Sequence, residues 1–326
     1  MLENILIILA GFVILLWGAD RFVMGASALA RNLGISPLII GLTIVGFGTS
    51  APEILISVVA SYQGNPGLAI GNAIGSNIAN IALVLGFTAL IIPLTVKSET
   101  LKREYPILLA VTLGSLVLLM DGHFSRIDGL IMVFAMVLIL YAITMLGLGS
   151  RKNDPIAEEF AIEIPEGMST KAASLWFILG LLTLLLGSRL LVSGAVNIAT
   201  ALGVSDVIIG LTIVAIGTSL PELAASVMSA YKKEHDIAIG NIVGSNMFNL
   251  LAVLGIPGII RPGAVPEGIM ERDFPLMIVL TVLLFIMSYG FKRPGRINRI
   301  EGGILLIIFV GYQVVLYFSN TQSQVG

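Results

Sequence analysis

Long apolar blocks alternate with short polar turns from one end of the chain to the other. Ten blocks stand out, at 5–30, 36–62, 68–92, 104–120, 127–147, 172–200, 205–230, 237–259, 274–290 and 300–318. A helix needs about 20 apolar residues to cross a hydrocarbon core, and most blocks reach or approach that length. The pattern predicts an all-α polytopic membrane protein with ten transmembrane helices. The first block follows an acid, Glu3, and no small-residue cleavage site closes it. It therefore reads as a retained membrane helix rather than a cleaved signal.

Polar residues break this pattern twice, in the same way. Gly41–Glu53 reads GLTIVGFGTSAPE and Gly210–Glu222 reads GLTIVAIGTSLPE. An acid inside a spanning segment is expensive and marks a functional site by default. Shifted by 169 residues, the first half lies on the second without a gap, with Glu53 on Glu222, Gly71 on Gly240 and Asn80 on Asn249. From Ser36 to Tyr62, 16 of 27 positions repeat, and from Ala69 to Gly86, 11 of 18. The fourth and fifth blocks align poorly with the ninth and tenth, so the repeat is strongest where the polar residues lie. Five spans per copy is an odd number, so the second copy enters the membrane from the opposite side. That is the inverted-repeat plan of secondary transporters, with a shared site near the midplane. The chain divides into a five-helix repeat at 1–147, an acidic connector at 148–171 and a second repeat at 172–326.

Charge sets the orientation. With the N-terminus outside, cytoplasmic loops hold 13 Lys and Arg and external loops hold 3. Both termini are then extracellular, the connector is cytoplasmic and the membrane is the plasma membrane. Hydrophobic residues make up 56% and charged residues 12% of the chain, against roughly 25% charged in soluble domains. The net charge of −2 sits in short loops and gives no nucleic-acid footprint, and the absence of Cys excludes disulfides and thiolate chemistry.

Within Gly48-Thr49-Ser50-Ala51-Pro52-Glu53, proline removes an N–H and clashes with the carbonyl four residues back, so the helix must kink or break. Carbonyls near Gly46–Thr49 lose their helical partners, which hydrocarbon tolerates only where backbone lines a cavity. Carbonyls, hydroxyls and a carboxylate together form an all-oxygen environment suited to hard cations. Gly217-Thr218-Ser219-Leu220-Pro221-Glu222 repeats every element. The plainer reading is a capping box, Ser50-x-x-Glu53 and Ser219-x-x-Glu222. It accounts for the local pattern but not for two embedded acids at matched positions. The next span of each half supplies Ser76 with Asn80 and Ser245 with Asn249, each pair four apart on one helix face. Their alternative role is helix packing. Gly71 and Gly75 read as small packing residues. Asn72, Asn77, Asn241 and Asn246 are assigned to other faces and left undecided.

GTSxPE followed by GNxxGSN, in two copies, resembles the α-repeats of the cation/calcium exchanger superfamily, most of all prokaryotic sodium/calcium exchangers. The resemblance covers nearly the whole chain. It implies ten helices in two inverted five-helix repeats, with the long first and sixth helices lying across a core of eight and sliding to alternate access. It implies that Glu53 and Glu222 are central acids shared by Ca²⁺ and Na⁺, with the Thr49 and Thr218 carbonyls beside them. Ser50, Ser76 and the Gly46 carbonyl match one outlying Na⁺ site; Ser219, Ser245 and the Ala215 carbonyl match its counterpart. Asn80 matches the polar residue of the first repeat's mid-site. Asn249 departs from the pattern, because several exchangers carry Asp there. The proton-coupled branch typically adds acids near Ser76 and Ser245, and their absence favours Na⁺ as counter-ion.

The reading is therefore a secondary transporter, not an enzyme. It exchanges Ca²⁺ for Na⁺ with the lipid bilayer as its surroundings, and needs no cofactor or obligatory protein partner. Ca²⁺/H⁺ or K⁺-assisted exchange is the alternative within transport. An intramembrane protease would need a hydrolytic dyad rather than a cation cage, and channels typically build pores from rings across subunits. Asp20, Arg21 and Arg189 fall within spans, either as an internal polar strip or as snorkelling groups. His123 and His235 carry no motif. Asp128 and Glu301 open spans and are expected at the interface.

Overall fold

The computed structural model describes residues 2–34, 37–96, 101–149, 168–202, 215–289 and 295–323. Most of the acidic connector and the start of the second GLTIV stretch lie outside the described residues. Twelve helical elements are labelled in chain order. They are α1 (Leu2–Leu33), α2 (Gly41–Thr49), α3 (Ala51–Tyr62), α4 (Pro66–Ile91), α5 (Leu101–Leu119) and α6 (Arg126–Gly149). The second half gives α7 (Thr170–Ala201), α8 (Ala215–Thr218), α9 (Leu220–Tyr231), α10 (His235–Ile260), α11 (Phe274–Tyr289) and α12 (Arg299–Ser323). Six of these helices are long and apolar enough to span a membrane, and the bent pair α2–α3 makes a seventh candidate. The chain is a polytopic helical membrane protein.

The sequence repeat returns as a repeat of elements. α3 and α9 begin and end 169 residues apart, as do the starts of α4 and α10. Each half also contributes two short strands, which the all-α expectation lacked. Leu94–Val96 (β1) pairs with Gly295–Ile297 (β4), and His123–Phe124 (β2) with Gly263–Ala264 (β3), both antiparallel. These clips join the two halves where backbone leaves a helix and needs new hydrogen-bond partners.

α1 and α7 pack along their length through glycines spaced seven apart: Gly11, Gly18 and Gly25 on one, Gly180, Gly187 and Gly194 on the other. A Cβ on Gly11, Gly18 or Gly25 would lie 2.8, 2.6 or 2.4 Å from the backbone nitrogen of Leu191, Leu184 or Phe177. As α1 advances, its partner in α7 recedes, so the two helices run antiparallel at van der Waals distance. Their outer faces expose large apolar side chains such as Val13 and Leu182, the surface a lipid-facing pair requires.

The main core gathers around α4 and α10. α10 is the central post: every residue from Asp236 to Phe248 is buried. Asp20 of α1 pairs with Lys232, just past α9, at 2.7 Å, and Arg21 lies over the Trp176 ring at 5.0 Å. The first-span charges thus form a half-exposed ion pair and a cation–π contact. Asp128 bonds Ser125, and Glu301 accepts from the Asn298 N–H, so both open their helices as capping residues.

Candidate cation site

α2 and α3 meet at a 50° bend. Ser50 sits in the break with φ −81° and ψ 7°, and Ser219 occupies the matching break with φ −89° and ψ 2°. Neither angle pair is helical. Pro52 and Pro221 each lie in the first turn after the break, where a missing N–H is harmless. Neither serine caps its helix through its side chain, so the capping box does not form. Ser50 instead crosses to the other half, and its Oγ donates to Glu222 Oε1 at 3.3 Å.

The halves interlock around the acids. Glu53 is 1% and Glu222 0% exposed. The Thr218 side chain hydrogen-bonds the Glu53 carboxyl and Ser50 the Glu222 carboxyl, while the Thr49 hydroxyl gives its single proton to Asn241 Oδ1 at 3.0 Å. Each acid therefore meets a hydroxyl of the opposite half. Thr49 Oγ1 also lies 3.3 Å from Ser245 Oγ, and Ser245 Oγ lies 3.5 Å from the Gly46 carbonyl. That carbonyl accepts the Ser50 N–H at 3.0 Å. Asn80 Nδ2 donates to Asn246 Oδ1 at 3.2 Å.

Several buried polar atoms have no hydrogen-bond partner among the described residues. They include one oxygen of each glutamate, Ser219 Oγ, Asn80 Oδ1 and both amide atoms of Asn249. Unmet polar groups at such burial cost about 1–3 kcal/mol each, so the cluster suits a bound polar or charged species. Among the described residues, no three Asp, Glu, His or Cys gather as a metal cluster. The donors are two carboxylates and neutral oxygens.

Ser76 is buried, with no side-chain bond to this network among the described residues, and Ala215 is described only as the first residue of α8. Two contributors escaped the sequence reading. Asn241, assigned to another face, bonds Thr49, the Glu222 carbonyl and Ser226. It lies four residues before Ser245, on the same face, so the i, i+4 rule could have found it. The other is backbone geometry. Wide π-turns open at Asn80 and Asn249, and Leu254 N–H reaches back five residues to the Asn249 carbonyl at 2.8 Å. Such turns concentrate at functional sites.

Residues 3–145 and 172–318 match the family described as "Sodium/calcium exchanger protein". The chain belongs to the sodium/calcium exchanger family. It is 50% identical to the putative antiporter CaxA of Alkalimonas amylolytica, over 98% of this chain and all of that one. It is 33% identical to the sodium/calcium exchanger MaX1 of Methanosarcina acetivorans, over 97% of this chain and 99% of that one. A solved structure of the sodium-calcium exchanger NCX_Mj, soaked with Na⁺ and Ca²⁺, superposes with a TM-score of 0.81 at 33% identity. That match covers 95% of this chain and 97% of the other. Both glutamates, both breaks and the π-turns at Asn80 and Asn249 fall within the residues that match this family.

Proposed function

We propose that this chain is a secondary active antiporter exchanging Ca²⁺ for Na⁺ by alternating access, with ions bound between Glu53 and Glu222. The observation that carries this reading is the pair itself. The two carboxylates are fully buried, each keeps an oxygen without a partner among the described residues, and each is reached by a hydroxyl of the opposite half. Two such carboxylates in low dielectric are costly when bare. One Ca²⁺ neutralises both, and so do Na⁺ ions; if only neutralised states interconvert, one load is exchanged for the other.

In this reading the Thr49 and Thr218 carbonyls complete the central site. Ser50, Ser76 and the Gly46 carbonyl form one outlying Na⁺ site, and Ser219, Ser245 and the Ala215 carbonyl the other. Asn80 and Asn249 offer neutral amide oxygens at the π-turns, so two formal charges, not three, face the ion. Ten spans in two inverted repeats fit this scheme. The antiparallel course of α1 and α7, whose glycines correspond at an offset of 169 residues, supports the inversion. The excess of Lys and Arg in alternate loops supports extracellular termini in a plasma membrane.

Ca²⁺ uptake into vesicles with an imposed Na⁺ gradient and clamped pH tests the counter-ion. Uptake that follows the Na⁺ gradient is expected. Uptake driven by a pH gradient alone would replace Na⁺ with H⁺.

A further inference from the structure

The site is symmetric in sequence and asymmetric in its hydrogen bonds. Asn241 is fully buried in α10. Its Oδ1 accepts from Thr49 Oγ1 at 3.0 Å, and its Nδ2 donates to the Glu222 carbonyl at 3.2 Å and to Ser226 Oγ at 3.0 Å. These partners fix the amide: reversed, its oxygen would face a carbonyl acceptor. Asn72, its repeat mate, leaves a buried Nδ2 without a partner among the described residues. Ser57, the mate of Ser226, donates instead to the Val253 carbonyl at 2.6 Å.

The same one-sidedness recurs at the π-turns. Asn80 bonds Asn246, whereas Asn249 bonds through neither amide atom among the described residues and Asn77 turns its Nδ2 to Met277 Sδ at 3.5 Å. Packing follows the bonds. A Cβ on Gly244 of α10 would lie 2.3 Å from the Leu42 carbonyl, while Gly71, Asn72 and Gly75 of α4 are partly exposed. Of their apolar stretches, α10 buries 94% and α4 72%.

We infer that Asn241 and Asn72 are paired positioning residues, two clamps that close alternately, with the Asn241 clamp shut in this structure. Asn241 ties α2 of the first half to the broken helix of the second and seals the side of the site from which α10 enters. On the side from which α4 enters, Gly71, Asn72 and Gly75 keep partial exposure. In the opposite state Asn241 releases its partners, and Asn72 takes the equivalent set: the Thr218 hydroxyl, the Glu53 carbonyl and Ser57. The exchange swaps one set of hydrogen bonds for another, so neither state is left with a large deficit. The inference rests on the antiport reading for the existence of two states.

The test is hydrogen–deuterium exchange of the full chain in lipid nanodiscs, read on peptides covering 66–79 and 235–248. Asn241→Ala is expected to speed exchange of 235–248 about tenfold and to slow that of 66–79. Thr49→Val, which keeps the backbone carbonyl, gives the same reciprocal shift should Asn241→Ala fold poorly. Asn72→Ala leaves 235–248 as protected as in the unaltered protein. Both peptides moving in one direction, or Asn72→Ala mimicking Asn241→Ala, overturns the clamp. The readout needs no flux, so its failure is separable from absent Na⁺-driven Ca²⁺ transport.

Discussion

Ser50 donates a hydrogen bond to Glu222 across the boundary between the two halves, at 3.3 Å. A hydroxyl at a helix break usually caps its own helix, and here it serves an acid 172 residues away. Hydrogen bonds to charged groups contribute about 1.5–3 kcal/mol. Ser50→Ala is therefore expected to raise the half-saturating cation concentration by about tenfold or more and to lower the melting temperature. Cation titration of Ca²⁺ flux, beside thermal unfolding in detergent, checks both parts.

Ser188 of α7 donates to the Gly217 carbonyl at 2.9 Å. Pro221 has no N–H to offer that carbonyl, so Ser188 replaces the missing helical partner. Ser188→Ala leaves a buried acceptor unmet and should cost about 1–3 kcal/mol. Ser193→Ala, which removes an exposed local bond, should change stability by about 0.5 kcal/mol or less. Equal melting temperatures for the two variants would remove this role from Ser188.

The α1–α7 seam has no room for a methyl group. A Cβ on Gly180 would lie 2.3 Å from the Phe22 backbone nitrogen. Gly180→Ala is expected to destabilise by about 1–3 kcal/mol through overpacking. Gly311→Ala in α12, where a Cβ meets nothing within 4 Å, should be tolerated. Unfolding curves of the two variants decide the matter.

The Asp20–Lys232 pair is short, at 2.7 Å, but its side chains are 36% and 27% exposed. Exposed pairs contribute about 0.2–1 kcal/mol and weaken with salt. Asp20→Asn should lower stability by no more than that, and high salt should erase the difference.

Much of this architecture is legible in the chain because apolar length dictates it. The block at 104–120 returns as Leu101–Leu119, and that at 274–290 as Phe274–Tyr289. Glu53, Glu222, Thr49 and Ser50 are legible because embedded polar residues have few other uses. The seven-residue glycine seams were visible in principle, but a glycine gives no sign of which helix approaches it. The π-turns at Asn80 and Asn249 left no trace, since one extra residue per turn alters no composition or period. Asn241 was missed although it shares a face with Ser245 and Asn249. The short strands form from interhelical segments that only the folded arrangement brings side by side.

Charge removal at the central acids tests the account most directly. Glu53→Gln and Glu222→Gln keep shape and some hydrogen bonding while deleting one of the two charges facing the ion. Vesicles containing either variant, with protein insertion and thermal unfolding matched to the unaltered chain, should show no Na⁺-driven Ca²⁺ uptake above empty vesicles. Robust uptake by either variant would contradict the assignment of the ion site to Glu53 and Glu222.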